Sequence, residues 1–152
     1  MILIHPPVAK PCEPPAGVAR LFGFLHRNGI ECRVLDANLE GLLALIEVPK
    51  AGFDRWTMRA VRNRSRNIES LRSGYAFGNL DRYKRTVMDL NRLLEMPSKQ
   101  YSIRPGLANY QDRSLTPVRS ADLIEAAENP ERSPFFHYFA GRLPELIRES
   151  SA

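Results

Sequence analysis

The hydrophobic pattern of the first 38 residues predicts a compact β-α-β unit. Residues 2–4 are a short apolar run that ends before Pro6 and Pro7, which is typical of a buried strand. Apolar residues then recur at helical spacing over 18–25, and Asn28-Gly29 is a typical helix C-terminus. Residues 30–35 are again apolar and β-branched and predict a second strand ending at Asp36. A helix between the two strands indicates parallel pairing through a right-handed crossover.

From residue 39 onward the pattern becomes helical. Apolar spacing predicts helices over 39–48, 53–71, 80–95 (ended by Pro97), 121–128 (capped by Ser120) and from 133 onward. Residues 97–118 contain several prolines and predict an irregular loop, which at this length is usually functional or bound to a partner.

The predicted fold class is therefore α/β: an incomplete Rossmann-like β-α-β unit, with two parallel strands at the N-terminus, followed by a mainly helical segment. We divide the chain into a Rossmann-like start (1–48), a helical insertion (49–132) and a helix (133–152) leading to a further strand absent from this chain. A stable parallel sheet needs several strands with both faces covered, so we expect a chain cut in mid-fold.

Composition narrows the classes of function. The chain has a net charge of +5, and 18 of its 22 basic residues are arginine, which binds carboxylate and phosphate groups bidentately. That mix suits an anionic partner, although a solvated basic surface is the simpler explanation and the one we favour. No stretch approaches the ~18 apolar residues of a membrane span, and no signal peptide is recognisable, so we expect a cytoplasmic protein without a membrane partner. Cys12 and Cys32 should be free thiols, and no metal-site spacing is present.

The residues closest to a ligand are expected at the carboxyl ends of the two strands, where open α/β sheets bind their ligands. His5, Pro6 and Pro7 follow the first strand, and His5 either faces a ligand or anchors the loop. Gly17 lies near the helix start, where free N–H groups can bind an anion. Two polar residues, Asp36 and Asn38, end the second strand, where they either receive ribose hydroxyls or cap the next helix. The chain lacks G-x-G-x-x-G, so binding of a dinucleotide by that loop is not predicted.

A second candidate feature is a stripe of arginines at helical spacing, consisting of Arg55, Arg59, Arg62 and Arg66 with Arg64 nearby. Phosphate binding, a solvated face, and ion pairs with another domain all produce such a stripe. Trp56 is assigned to the opposite, apolar side, and no aromatic residues interleave with the stripe. Nucleic acid is therefore not the expected partner. Nothing in the sequence assembles a catalytic constellation.

Three segments of the first 38 residues resemble the N-terminal cobalamin-binding-like domain of radical S-adenosylmethionine (radical SAM) proteins. The segments are residues 2–7 (ILIHPP), 14–21 (PPAGVARL) and 29–38. In that family a first strand ends in a Pro-Pro loop, a helix opens with a P-x-G-L-x-x-L-like signature, and a second strand ends in a (V/L)-x-D-x-N-like motif. Residues 107–110 and 134–146 are more weakly similar to a linker in one subgroup.

The resemblance implies an N-terminal cofactor- or substrate-recognition module of a radical SAM enzyme, without catalytic activity of its own. The [4Fe-4S] cluster and S-adenosylmethionine would bind to a downstream barrel domain, because the chain has no C-x-x-x-C-x-x-C triplet. The resemblance also allows cobalamin as a ligand. Because the chain lacks the D-x-H-x-x-G motif, cobalamin would bind base-off, without a histidine on cobalt.

His5, Pro6, Pro7, Gly17, Asp36 and Asn38 would be nearest to that ligand. The expected partners are the barrel domain and a second copy meeting at the incomplete sheet edge. The alternative is a stand-alone interaction protein that binds protein or nucleic acid through its Arg-rich helical insertion.

Overall fold

A computed structural model of the chain describes residues 1–7, 13–49 and 54–151. Within these residues the order of elements is β1 (Ile2–His5), α1 (Ala16–Arg27), β2 (Arg33–Asp36), α2 (Ala37–Glu47), α3 (Arg55–Arg72), α4 (Leu80–Ser98), β3 (Ile103–Pro105), β4 (Tyr110–Asp112), α5 (Ser120–Glu128) and α6 (Phe136–Ser151). Short 3₁₀ turns, Tyr75–Gly78 and Pro130–Arg132, precede α4 and α6. The mixed α/β, mainly helical composition agrees with the prediction. Cys12 and Phe53 lie outside the described residues.

The predicted β-α-β unit is present. β1 and β2 pair in parallel, with Ile2 opposite Arg33 and His5 opposite Asp36. α1 ends where the sequence indicated, because Gly29 adopts a left-handed φ of 70° that allows the amide of Ile30 to reach the carbonyl of Leu25 at 3.0 Å. The two strands form a sheet of their own among the described residues.

One face of this small sheet is covered by the last helix. Successive side chains of a strand point to opposite faces, so Ile2 shares a face with Leu35 across the parallel register. Leu35 is buried with Leu146 of α6, and Leu143 packs against the same cluster. The C-terminal helix is therefore part of the layer that supports the β-α-β unit.

The larger hydrophobic core joins α2, α3 and α4. Its buried members are Leu42, Leu45, Ile46, Ala60, Leu90, Leu93, Leu94 and Phe135. The core follows from helical periodicity, since the members on each helix recur at intervals of three or four residues. It crosses residue 48, so α2 packs with the helical segment as well as with the strands.

Two special contacts fix α2. Gly41 lies so close to the start of α6 that a Cβ atom built there would stand 2.9 Å from Cδ1 of Phe135, the residue before this helix, and 3.2 Å from Cε2 of Phe139 within it. At the other end, Nη1 of Arg64 donates to the carbonyl oxygens of Ile46, Glu47 and Pro49 at 3.1–3.2 Å. Those carbonyls would otherwise lack intrahelical donors, so Arg64 acts as a C-terminal cap.

Several local predictions were wrong. α4 continues to Ser98, because the amide missing from Pro97 removes a hydrogen bond only in the last turn. Residues 97–118 are not irregular throughout, since β3 and β4 form an antiparallel hairpin closed by a bond from the amide of Gly106 to the carbonyl of Asn109 (2.7 Å). Ser120 is the first residue of α5 and does not cap it; the N-cap is Arg119, without a side-chain bond.

Within the described residues, none of the helices combines the length and apolar character needed to cross a bilayer.

Candidate functional site

The predicted site lies at the carboxyl edge of the parallel sheet. Because His5 and Asp36 are register partners, the two strands end side by side at this edge. His5 and Pro7 are half-buried there, whereas Pro6 is exposed.

A cleft of about 360 Å³ opens between the end of β1 and the start of α1. Its lining consists of His5 together with Glu13, Pro14, Pro15, Ala16, Gly17, Val18 and Leu21. The structure therefore brings together His5 and Gly17, two residues that the sequence placed near a ligand. Pro6, Pro7, Asp36 and Asn38 are not part of the lining.

The first turn of α1 leaves amide groups available at this cleft. The N-cap is Pro15, which provides no side-chain acceptor, and the amide of Ala16 is bonded to the carbonyl of Pro14 at 2.7 Å. Among the described residues no hydrogen-bond acceptor is found for the amides of Gly17 and Val18. Such amides at a helix N-terminus suit an oxygen atom carrying negative charge. The space next to Gly17 is open, with no heavy atom within 4 Å of a Cβ built there.

The two polar residues after β2 serve the next helix. Oδ1 of Asp36 accepts a hydrogen bond from the amide of Leu39 at 2.9 Å, so the capping alternative is confirmed for this residue. Asn38 is buried, with 4% of its surface exposed, in the first turn of α2. A ligand-binding role for either residue stays a prediction.

The arginines of the stripe differ in their contacts and exposure. Arg59 forms a 2.7 Å ion pair with Asp89 of α4, Arg64 caps α2, and Arg55 and Arg62 are exposed. Arg66 lies in a groove between α3 and α4. The stripe is therefore partly structural, as the ion-pair alternative proposed, although its partner belongs to the same chain.

Trp56 was placed on the wrong side of α3. Its Nε1 donates to Oδ1 of Asp89 at 3.1 Å, the same oxygen that Arg59 binds, and the guanidinium of Arg92 stacks over its ring at 5.3 Å. Asp89 is only 3% exposed and was missed as the acceptor that joins these groups. The available signal was an acidic residue directly before Leu90 in an otherwise apolar helix face.

The size of the cleft and the side chains near it limit which of the cofactors implied by the resemblance they can hold. At about 360 Å³ the cleft is at the small end of pockets for drug-sized ligands, so its described lining is too small to enclose a corrin on its own. Cys32 is a free thiol, and within the described part of the chain no three His, Cys, Asp or Glu side chains could share a metal ion. These residues therefore do not fit a [4Fe-4S] cluster.

Comparison of the chain with protein-family models, with curated proteins and with solved structures finds no match.

Proposed function

We propose that this chain is the recognition module of a radical SAM enzyme. In this proposal the carboxyl edge of the β1-α1-β2 unit binds a cofactor or substrate, and a barrel domain of the enzyme performs the radical chemistry. The observation that supports it most is the cleft in which His5 meets the open N-terminus of α1. Ligands of open α/β sheets bind at this edge.

The cleft suits a ligand that combines an apolar body with oxygen-bearing groups. Pro14, Pro15 and Leu21 supply apolar surface, and His5 and the amides of the first turn supply polar contacts. A corrin carrying carboxamide side chains has this character. Since the described lining is too small to enclose such a ligand on its own, the rest of the site would come from the barrel domain.

An apolar surface on the same unit supports a docked partner. The residues concerned are between 38% and 57% exposed and are Ile4, Leu21, Phe22, Phe24, Ile30 and Val34. Leu25 is the single residue of α1 that is buried. Large exposed apolar side chains in such number usually mark an interface, and each strand of the pair also has one unpaired edge within the described residues. We assign this surface to the barrel domain and expect self-association of the chain where that domain is missing.

The ligand arm of the proposal is tested by titrating the chain with hydroxocobalamin in equilibrium dialysis. Gly17→Leu should reduce retention at least tenfold, because its side chain enters the cleft. Gly23→Leu is the matched control, since it lies on the same helix and also faces open space, and it should bind like the unchanged chain. Absence of binding to the unchanged chain, or equal loss in both variants, would contradict cobalamin as the ligand.

The docking arm is tested by light scattering over a range of protein concentrations. The unchanged chain should self-associate, and Phe24→Ser, which removes an aromatic ring that is 57% exposed, should weaken this association. Leu123→Ser is the control, because Leu123 is similarly exposed at 54% but lies on α5, outside the β-α-β unit. A chain that stays monomeric at every concentration would contradict the self-association expected of this apolar surface.

A further inference from the structure

A polar groove of about 330 Å³ lies between α3 and α4, on elements that the proposed function does not use. Within the described part of the chain, its charged lining consists of Arg59 and Arg66 of α3, Arg82 and Arg85 of α4, and one carboxylate, Asp89. The groove therefore carries an excess of three positive charges. Two of these arginines come from the stripe seen in the sequence, and the other two reach the same place only because the helices pack together.

The one acidic residue in the groove is already satisfied. Asp89 is almost fully buried and accepts hydrogen bonds from Arg59 (2.7 Å), Trp56 (3.1 Å) and Asn67 (3.4 Å). Its charge is balanced by Arg59, so the excess positive charge resides on the other three arginines.

Arg66, Arg82 and Arg85 have no carboxylate within ion-pair distance among the residues that the structure describes. Arg82 is held in place, since its Nη1 donates to the carbonyl of Tyr75 at 3.0 Å and its guanidinium stacks 3.8 Å from the ring centroid of that residue. Arg85 donates through Nε to the carbonyl of Asp81 at 3.2 Å, which leaves its terminal N–H groups for another acceptor.

A buried hydroxyl in the groove also lacks an acceptor and a donor. Ser70 is 9% exposed, and no hydrogen-bond partner for its Oγ exists among the described residues. Buried polar atoms without partners are uncommon, because desolvating them costs free energy. An oxygen-rich ligand seated in the groove would satisfy this hydroxyl and the guanidinium groups together.

We propose that this groove binds a small phosphate-bearing molecule, whose phosphate oxygens accept hydrogen bonds from Arg66, Arg82 and Arg85. Arginine is well suited to this because its planar guanidinium contacts two phosphate oxygens at once. The volume of the groove is in the range of small-ligand sites. Nucleic acid would require basic contacts continuing along a backbone track, but the neighbouring Arg55 and Arg62 lie outside the groove lining.

The experiment is a titration of the full chain with inorganic pyrophosphate, followed by calorimetry and by the fluorescence of Trp56. Trp56 is the only tryptophan of the chain and is bonded to Asp89 in the groove, so it reports on occupancy. Binding should be saturable, and Arg66→Gln combined with Arg85→Gln should weaken it at least about tenfold, the effect of losing one charge-assisted hydrogen bond.

The matched control removes the same number of charges outside the groove, with Arg62→Gln combined with Arg20→Gln. Both of these arginines are exposed, and the control should bind pyrophosphate within about twofold of the unchanged chain, because screening weakens distant surface charges. Circular dichroism melting of both double variants, together with the single variant Arg66→Gln, verifies that any loss of binding is not a loss of folding.

Three results would overturn the proposal. The first is a failure of the unchanged chain to bind pyrophosphate. The second is an equal loss in the groove and control variants, which would indicate a diffuse basic surface. The third is binding of a single-stranded RNA that depends on the groove arginines and is not competed by pyrophosphate. That result would assign the groove to nucleic acid.

Discussion

Gly41→Ala offers the sharpest test of how α2 packs against α6. The added methyl group would stand 2.9 Å from Cδ1 and 3.2 Å from Cε1 of Phe135, and 3.2 Å from Cε2 of Phe139. Phe135 is only 4% exposed, and on another side its ring packs against Tyr110 with centroids 6.2 Å apart. The ring therefore has little room to move, and the helices must separate or the aromatic side chains must leave their preferred rotamers.

The magnitude follows from two opposing effects. Replacing glycine by alanine inside a helix normally stabilises it by up to about 1 kcal/mol, because alanine loses less backbone entropy. Overpacking a filled core costs about 1–3 kcal/mol. Gly23→Ala isolates the first effect, since Gly23 lies within α1 with no heavy atom within 4 Å of the new methyl group. The free energy of unfolding of the Gly41 variant should thus lie about 1–3 kcal/mol below that of the Gly23 variant.

The assay is thermal unfolding of both variants followed by circular dichroism. For a chain of this length each 1 kcal/mol shifts the melting temperature by about 2–4 °C, so the two variants should differ by about 2–12 °C. The unchanged protein should melt at or between these two temperatures. A Gly41 variant that melts at or above the Gly23 variant would refute the close approach of α2 and α6.

Three further outcomes are expected. Asp89→Asn should lower the free energy of unfolding by about 1–3 kcal/mol in urea titrations, since it removes the carboxylate that balances Arg59, whereas the exposed Asp81→Asn should change little. Hydrogen bonds from the amide of Thr57 and, to a lesser extent, from its hydroxyl lower the pKa of Asp54 to about 2. The ionised carboxylate therefore stabilises the fold above pH 4, and this contribution is lost as the pH falls toward 2. Asp54→Asn should reduce the corresponding fall in melting temperature. Burial raises the pKa of Tyr110 to about 12, so stability should fall as the pH rises from 10 to 12, and Tyr110→Phe should reduce this loss in melts over that range.

The sequence predicts well those features that depend on neighbours along the chain. The β1-α1-β2 unit follows from two apolar runs and from Asn28-Gly29, which ends α1 through a left-handed residue regardless of the rest of the fold. The cap formed by Asp36 is likewise local, because its acceptor and donor are three residues apart. The proximity of His5 and Gly17 is also predictable, since the helix of a β-α-β unit begins near the carboxyl end of the first strand.

Features that depend on how helices pack were not predictable from spacing alone. Helical periodicity identifies the apolar faces of α3 and α4 but does not determine their relative register, so the grouping of arginines from both helices in one groove could not be predicted. The need for glycine at position 41 could not be predicted for the same reason, because the side chain that leaves no room for a Cβ atom is Phe135, nearly a hundred residues later in the chain. The hairpin of β3 and β4 was missed because its strands have three residues each, too few for alternation to be recognised.

The position of the proposed ligand cleft depends on the helical segment. α2 begins directly at Asp36 on the carboxyl edge of the sheet, and its other end is capped by Arg64 of α3. Its apolar side, including Leu42 and Ile46, is buried against α3 and α4. Without those helices a fragment of residues 1–49 would expose that side, and a chain of about this length rarely buries enough apolar surface to fold alone. The helices are thus part of the structure that holds the sheet edge in place.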